Sequence, residues 1–248
     1  QDNGTGTTPP GVTPTDDTPQ LSIEGPGTVN EAAGTLTYTV RLSNPSATGV
    51  TVNYATQDAG ASSGSDYTPA SGSLTFAPGE TTKTITVNVL EDSVFEGPEA
   101  FKVVLSNASG ANLTVAEATT TIQDNGTGTT PPGVTPTDDR PVITVSNASA
   151  VEGAQEVFTV TLSKPSSAAQ TVGLSLASGT ATVPADFLNA SEVSYDNGGT
   201  WQVASGGQTI VPAGTTSFLV RVATVNDTTP ESTESFSLTA TMAVSSNG

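Results

Sequence analysis

The chain has 248 residues and carries 24 Asp or Glu against 6 Lys or Arg, a formal net charge of −18, with no Cys and no His. That balance excludes binding of nucleic acid or anionic lipid through a basic surface. The missing Cys and His exclude thiol chemistry, Ser-His-Asp triads and the usual zinc, copper and haem sites.

The length is that of about two domains. No stretch approaches the ~20 apolar residues of a membrane-spanning helix, and no basic-then-apolar export signal is present. The expectation is a fragment, or a chain whose signal lies elsewhere. Thr, Ser, Val, Gly and Ala dominate and aromatics make up 5%. This composition reads as all-β with many turns.

Residues 1–17, QDNGTGTTPPGVTPTDD, return letter for letter at 123–139. They have no periodicity, and Pro9, Pro10 and Pro14 favour an extended backbone. At ~3.1 Å per residue, a linker over 127–139 can span up to roughly 40 Å, a semi-stiff spacer. Residues 1–17 are read as the end of a preceding repeat plus its linker, so that the chain is a window onto a longer tandem array.

Between the copies, residues 18–126 alternate strongly. Leu36, Tyr38, Val40 and Leu42 form one apolar series, Val50, Val52 and Tyr54 a second, and Ile85, Val87 and Val89 a third. Shorter strands are expected near 21–23, 74–76, 101–105 and 117–122, with breaks at GPG (25–27), NPS (44–46), APGE (77–80) and NASG (107–110). Seven short strands with regular turns predict an Ig-like antiparallel β-sandwich.

Residues 140–248 follow the same plan through Phe158–Leu162, Val172–Leu176, Phe218–Val222 and Phe236–Met242. They add a hairpin, VSYDNGGTW (193–201), whose Asn-Gly and Gly-Gly pairs suit tight turns. The second unit is expected to lack its last strand, which leaves an open sheet edge: either another chain supplies the strand through that edge or the strand has been cut away.

With the first unit's seven strands lettered A to G in chain order, from A near 21–23 to G near 117–122, an up-and-down sandwich puts the A–B, C–D and E–F loops at one end with the close of strand G. Glu31, Asp66, Glu91, Asp92, Glu96, Glu99 and Asp124 all fall at that pole, from four separate segments. Two carboxylates about 4 Å apart repel by ~4 kcal/mol at an effective dielectric near 20. Ca2+ relieves this best, because it takes six to eight oxygens in irregular geometry, whereas Mg2+ demands an octahedron. A solvated acidic turn is the alternative reading of Glu91–Glu99 alone. The second unit offers Glu152, Asp186, Asp227, Glu231 and Glu234, with Asn226 where an acid would stand, and a poorer site is expected there.

The stretch GSDYTPASGSLTFAPGETTKTITVNVLEDSVFEGPEAFKVVLSN (64–107) resembles a Calx-beta domain over nearly all of 20–125. The carrying motifs are G-S-D-Y, F-x-P-G-E, and paired acids followed by F-E-x-x-E. The resemblance implies calcium ligation by those same seven first-unit residues. One departure is Gln123-Asp124-Asn125 in place of an acidic triplet, which implies fewer ions or weaker binding. The second unit, with its hairpin, resembles Ig-like repeats of large type I-secreted (RTX-type) bacterial adhesins.

The resulting expectation is a non-catalytic, calcium-stiffened extender of a bacterial cell-surface adhesin or extracellular fibre. Its partners are neighbouring repeats, with no nucleic acid and no membrane insertion. Two alternatives are a glycan- or protein-recognition module and a non-catalytic appendage of a secreted enzyme. Tyr195 and Trp201 on the hairpin are either a sugar-stacking platform or an edge pair that pins the hairpin to the sandwich. Asp138 and Asp139 are either further ligands or solvated charges opening the next domain.

Overall fold

The structure, a computed structural model, describes residues 17–228 and 232–243. They form two compact units. One runs to Asp92 and resumes over Pro98–Asp138; the other takes Ser93–Gly97 together with Asp139 onward. Both are all-β, and no helix among the described residues is long and apolar enough to cross a membrane, which says nothing of β-barrels.

The first unit has nine strands: β1 (Gln20–Glu24), β2 (Thr28–Asn30), β3 (Thr35–Leu42), β4 (Val50–Asp58), β5 (Ser71–Phe76), β6 (Thr82–Asn88), β7 (Glu99–Ser109), β8 (Asn112–Val115) and β9 (Glu117–Gln123). One sheet has the order β6-β3-β1-β8 and the other β2-β9-β7-β4-β5. Alternation works as expected. On β3, Leu36, Tyr38, Val40 and Leu42 point inward, and on β6 Ile85 and Val87 meet them.

The expected first strand near 21–23 is β1, and a further strand, β2, follows the expected break. β1 pairs antiparallel with β3 in one sheet, then the chain breaks at Gly25-Pro26-Gly27, and β2 pairs parallel with β9 in the other. The switch requires a glycine, because a Cβ on Gly25 would lie 2.2 Å from the Tyr38 ring. The buried Tyr38 hydroxyl lies 2.5 Å from Thr120 Oγ1, and Thr120 donates to the Pro26 carbonyl at 2.7 Å. Burial pushes the Tyr38 hydroxyl up to about 12, so it stays protonated. β2 and β8 have three and four residues, too short for periodicity to reveal.

The second unit has β10 (Ile143–Val145), β11 (Gln155–Leu162), β12 (Gln170–Ser178), β13 (Phe187–Ser194), β14 (Gln202–Val203), β15 (Gln208–Val211), β16 (Ser217–Thr224) and β17 (Phe236–Met242). The sheets run β10-β11-β16-β13-β14 and β15-β12-β17. Both cores repeat one aromatic triad. Tyr67 stacks on Phe101 at 4.2 Å with Tyr38 edge-on at 6.4 Å, and Phe187 stacks on Phe236 at 4.3 Å with Phe158 edge-on at 5.9 Å. Fully buried rings of this size contribute about 1.5–3 kcal/mol each.

The expected hairpin joins β13 to β14, with Asn197 and Gly198 at positive φ. Asp196 organises its turn, accepting from Ser194 Oγ, Thr200 N–H and Thr200 Oγ1, and the bond from the Thr200 N–H leads in lowering its carboxyl to about 2. Where β7 has β4 and β9 on its two sides, β17 pairs with β12 alone among the described residues.

The linker is not an extended spacer. Residues 127–137 fold back along the free side of β2 as a strap. Asn30 N–H donates to Thr129 O at 3.0 Å, and Thr129 Oγ1 donates to Thr28 O at 2.9 Å. The Asn30 side chain, fully buried, completes the seam. Its Nδ2 donates to Gln123 O (3.1 Å), Thr127 O and Thr137 O (both 3.0 Å), and its Oδ1 accepts from Ala32 N–H (3.0 Å), Thr137 N–H (2.8 Å) and Thr137 Oγ1 (3.1 Å). Proline favours extension locally, but the edge of β2 and the buried Asn30 amide need partners where water cannot reach, and the strap supplies them.

Candidate metal centre

The A–B corner places its acid through a cap. Asn30 caps a short 3-10 turn over Glu31–Ala33, and Glu31 follows it into the interior, 5% exposed. Glu31 Oε1 accepts the Asp92 N–H at 3.1 Å. Its Oε2 is buried and receives no hydrogen bond. Asp124, also 5% exposed, follows β9 and brings a carboxylate oxygen within 4.8 Å of Glu31. Burial, and next the Asp124 charge, push the Glu31 carboxyl up to about 8. Two such charges repel by about 3 kcal/mol at an effective dielectric near 20. Two buried carboxyl groups this close, one with an oxygen that has no hydrogen-bond partner, suit a hard cation with all-oxygen ligation, which would hold both in the ionised form.

Other acids of the first unit form a second pair. Asp66 and Glu99 bring carboxylate oxygens within 4.8 Å of each other. The G-S-D-Y turn holds Asp66 in place. Its Oδ2 accepts the Ser62 N–H at 2.6 Å, while the Tyr67 ring, stacked on Phe101, anchors the next residue. The Tyr67 hydroxyl donates to Asp58 Oδ1 at 2.5 Å, and Asp58 also accepts from Ser63 N–H. Asp58 was not among the expected residues; it is an acid ending β4 that fastens this turn.

Of the seven expected first-unit acids, four therefore stand in two close pairs, and Asp92 contributes its N–H and its charge to one of them. Glu91 is exposed and stands outside both pairs. Glu96 is partly buried on the 93–97 segment, which is grouped with the second unit. Asp139 is not a solvated charge: it is 2% exposed and pairs with Lys164, while its Oδ2 receives no hydrogen bond.

The second unit repeats the frame of this site in a more open form. Glu152 Oε1 accepts the Asp227 N–H at 3.2 Å, as Glu31 does from Asp92. Asp186 Oδ2 accepts the Thr182 N–H at 2.6 Å, as Asp66 does from Ser62, and that bond leads in lowering its carboxyl below the usual range. Glu152, Asp186 and Glu234 line a cavity of about 330 Å³. Yet Glu152 is exposed where Glu31 is buried. Glu231 lies outside the described residues.

Glu156 also lines this cavity and was missed by sequence reasoning. It is 7% exposed at the inward position that Leu36 fills on β3, and burial raises its carboxyl. The signal was present as an acid in phase with Phe158, Val160 and Leu162. Its ionisation opposes folding, so stability falls as pH rises past its unfolded value. Glu156→Leu is expected to stabilise the second unit by about 2 kcal/mol at pH 8 and by less at pH 4. Urea unfolding at the two pH values checks this, and an equal gain at both contradicts it.

The hairpin aromatics are held by protein partners. The Tyr195 hydroxyl lies 2.5 Å from Thr209 Oγ1, and its ring packs on Phe218 at 5.5 Å. Trp201 donates to Gly198 O at 3.1 Å and lies under the Arg221 guanidinium at 4.3 Å.

A Calx-beta domain model matches residues 15–126 and again 137–205. Over 78 residues the chain is 41% identical to sodium/calcium exchanger 1 of Canis lupus familiaris, a stretch covering 31% of this chain and 8% of the exchanger. It is 39% identical over 77 residues to sodium/calcium exchanger 2 of Homo sapiens, again 31% of this chain and 8% of the exchanger. The chain thus spans under a tenth of the length of these relatives. Among solved structures, the apo-form Calx CBD1 domain is 32% identical with a TM-score of 0.41, covering 43% of this chain and 97% of that one. The calcium binding domain CBD12 of CALX1.1 is 22% identical with a TM-score of 0.41, covering 88% and 79%. With a family match over more than half of its residues, the chain belongs to the Calx-beta domain family.

Proposed function

We propose that the first sandwich is a Ca2+-binding, non-catalytic module. Glu31 and Asp124, with Asp66, Glu99 and Asp92, would hold the ion or ions. The observation that carries this reading is the buried Glu31 Oε2, which has no hydrogen-bond partner, on a carboxylate that comes within 4.8 Å of the Asp124 carboxylate. No helix, His or Cys chemistry competes for these acids. The second unit, with an exposed Glu152 and an apolar core position given over to Glu156, would bind more weakly.

Around this site we read the chain as an extender of an extracellular array, on a bacterial cell surface. The support is the tandem of two like sandwiches and the seventeen residues copied unchanged at 1–17 and 123–139. No observation favours the glycan reader, since the polar atoms of Tyr195 and Trp201 already have partners.

The test is a pair of thermal melts of the whole chain, in EDTA and in 1 mM Ca2+. Saturation at 100 times Kd adds ~2.7 kcal/mol to the folded state. That corresponds to a rise of roughly 10 °C in the first unit's transition. Coincident melts overturn the calcium reading.

A further inference from the structure

The strap is a short peptide seated on a sheet edge, and its sequence occurs twice. Thr129 lies parallel to Val29 on the side of β2 that β9 leaves open, so the strap ends that sheet by strand addition. Selectivity comes from two features. Asn30 reads the backbone of Thr127 and Thr137 from both sides of the strap's loop. At Gly128, φ is +94 and a Cβ would lie 2.4 Å from Val29 C and 2.5 Å from Asn30 N, so only glycine allows the close approach. The loop closes on itself through Thr130 Oγ1 to Val134 O at 2.7 Å and Val134 N–H to Pro131 O at 3.1 Å. None of these contacts is charged and none involves a metal ligand's carboxylate. Among the described residues the second unit has no such edge: Val151, at the place of Asn30, is 77% exposed, and no strand forms there.

We propose that TGTTPPGVTPT is a ligand for the β2 edge, and that Thr5–Thr15 of one chain takes this edge in a second copy of the chain. Residues 5–15, outside the described region, are identical to the seated residues 127–137, so every group that binds in one is present in the other. Gly6 corresponds to Gly128, Thr7 to Thr129 and Thr15 to Thr137. The strap within each chain competes at an effective concentration of order millimolar. Exchange between copies is therefore strongest where that strap is displaced, and the surface can join two chains head to tail.

The experiment uses a fluorescent synthetic peptide with the sequence of residues 1–17 and three full-length chains: wild type, a variant with 127–137 replaced by Gly and Ser at equal length, and Gly128→Ala. Anisotropy is expected to show binding to both variants at least tenfold tighter than to wild type. A peptide carrying Gly6→Ala is expected to bind them at least tenfold more weakly. Light scattering of the strap-replaced chain is expected to show a dimer that dissociates when Thr5–Thr15 is scrambled. If neither folded variant binds the peptide, or if the Gly6→Ala peptide binds equally well, the proposal is overturned. Because Gly128→Ala only expels the strap, the result does not rest on one variant folding. Running the titration in EDTA separates it from the calcium reading.

Discussion

Stripped of divalent cations, the chain is expected to lose stability as pH climbs from about 5 to 8, and Glu31→Gln is expected to abolish most of that loss. Glu31 has an ordinary value of 4.5 and is pushed up to about 8 in the folded state, by burial first and by Asp124 second. Between those values the folded state binds the proton that the unfolded state has released, so unfolding becomes easier as pH rises. The stability Glu31 lends as a neutral acid is fully present below its unfolded value and gone above its folded one. After discount for partial solvation and for coupling to Asp124, the change is about 3 kcal/mol. Bound Ca2+ inverts the relation, because it requires the ionised carboxylate and binding then releases a proton. The affinity should therefore rise with pH across the same window, by up to about tenfold per unit. Calorimetric titration in buffers of different ionisation enthalpy counts that proton. A pH-independent affinity, with no proton released, contradicts the assignment of Glu31 as a ligand.

The longer strands of both sandwiches were legible because burial on one face writes itself as period two; Leu36 to Leu42 needs no other information. The acids were legible for a different reason. None is recognisable alone, but an up-and-down topology gathers the A–B, C–D and E–F corners, and so Glu31 meets Asp124 across a separation of 93 residues. Not legible was whatever depends on a single contact. Glu91 and Asp92 are neighbours in sequence, and nothing in the sequence says that it is the Asp92 N–H that reaches Glu31. Glu156 was overlooked because polar residues are assumed to face water, whereas its phase on β11 sets it beside Phe158 and Val160 in the interior. The strap was misread most completely. Its prolines report local stiffness, and no local property of Thr127–Thr137 says that a buried amide some hundred residues earlier matches its carbonyls.

That amide supplies the second large effect. Asn30→Ala is expected to destabilise the first unit by about 3 kcal/mol and to release the strap. The substitution removes an acceptor for the Ala32 and Thr137 N–H groups and a donor for the carbonyls of Gln123, Thr127 and Thr137. Those that stay buried lose about 1 kcal/mol each, and those that reach water once the strap lifts recover most of it. Asn30→Asp separates the two roles. It keeps the acceptor, loses the donor and adds a charge one residue from Glu31, so in EDTA it should be the more damaging change. Ca2+ should recover more of the loss in Asn30→Asp than in Asn30→Ala, because the ion offsets repulsion but cannot replace a donor. Urea unfolding gives the stabilities, and hydrogen exchange at the Thr129 and Thr137 amides gives the strap. Exchange at those amides that stays at the wild-type rate in Asn30→Ala would mean that the edge of β2 alone holds the strap, and that the buried asparagine serves only to cap the turn that carries Glu31.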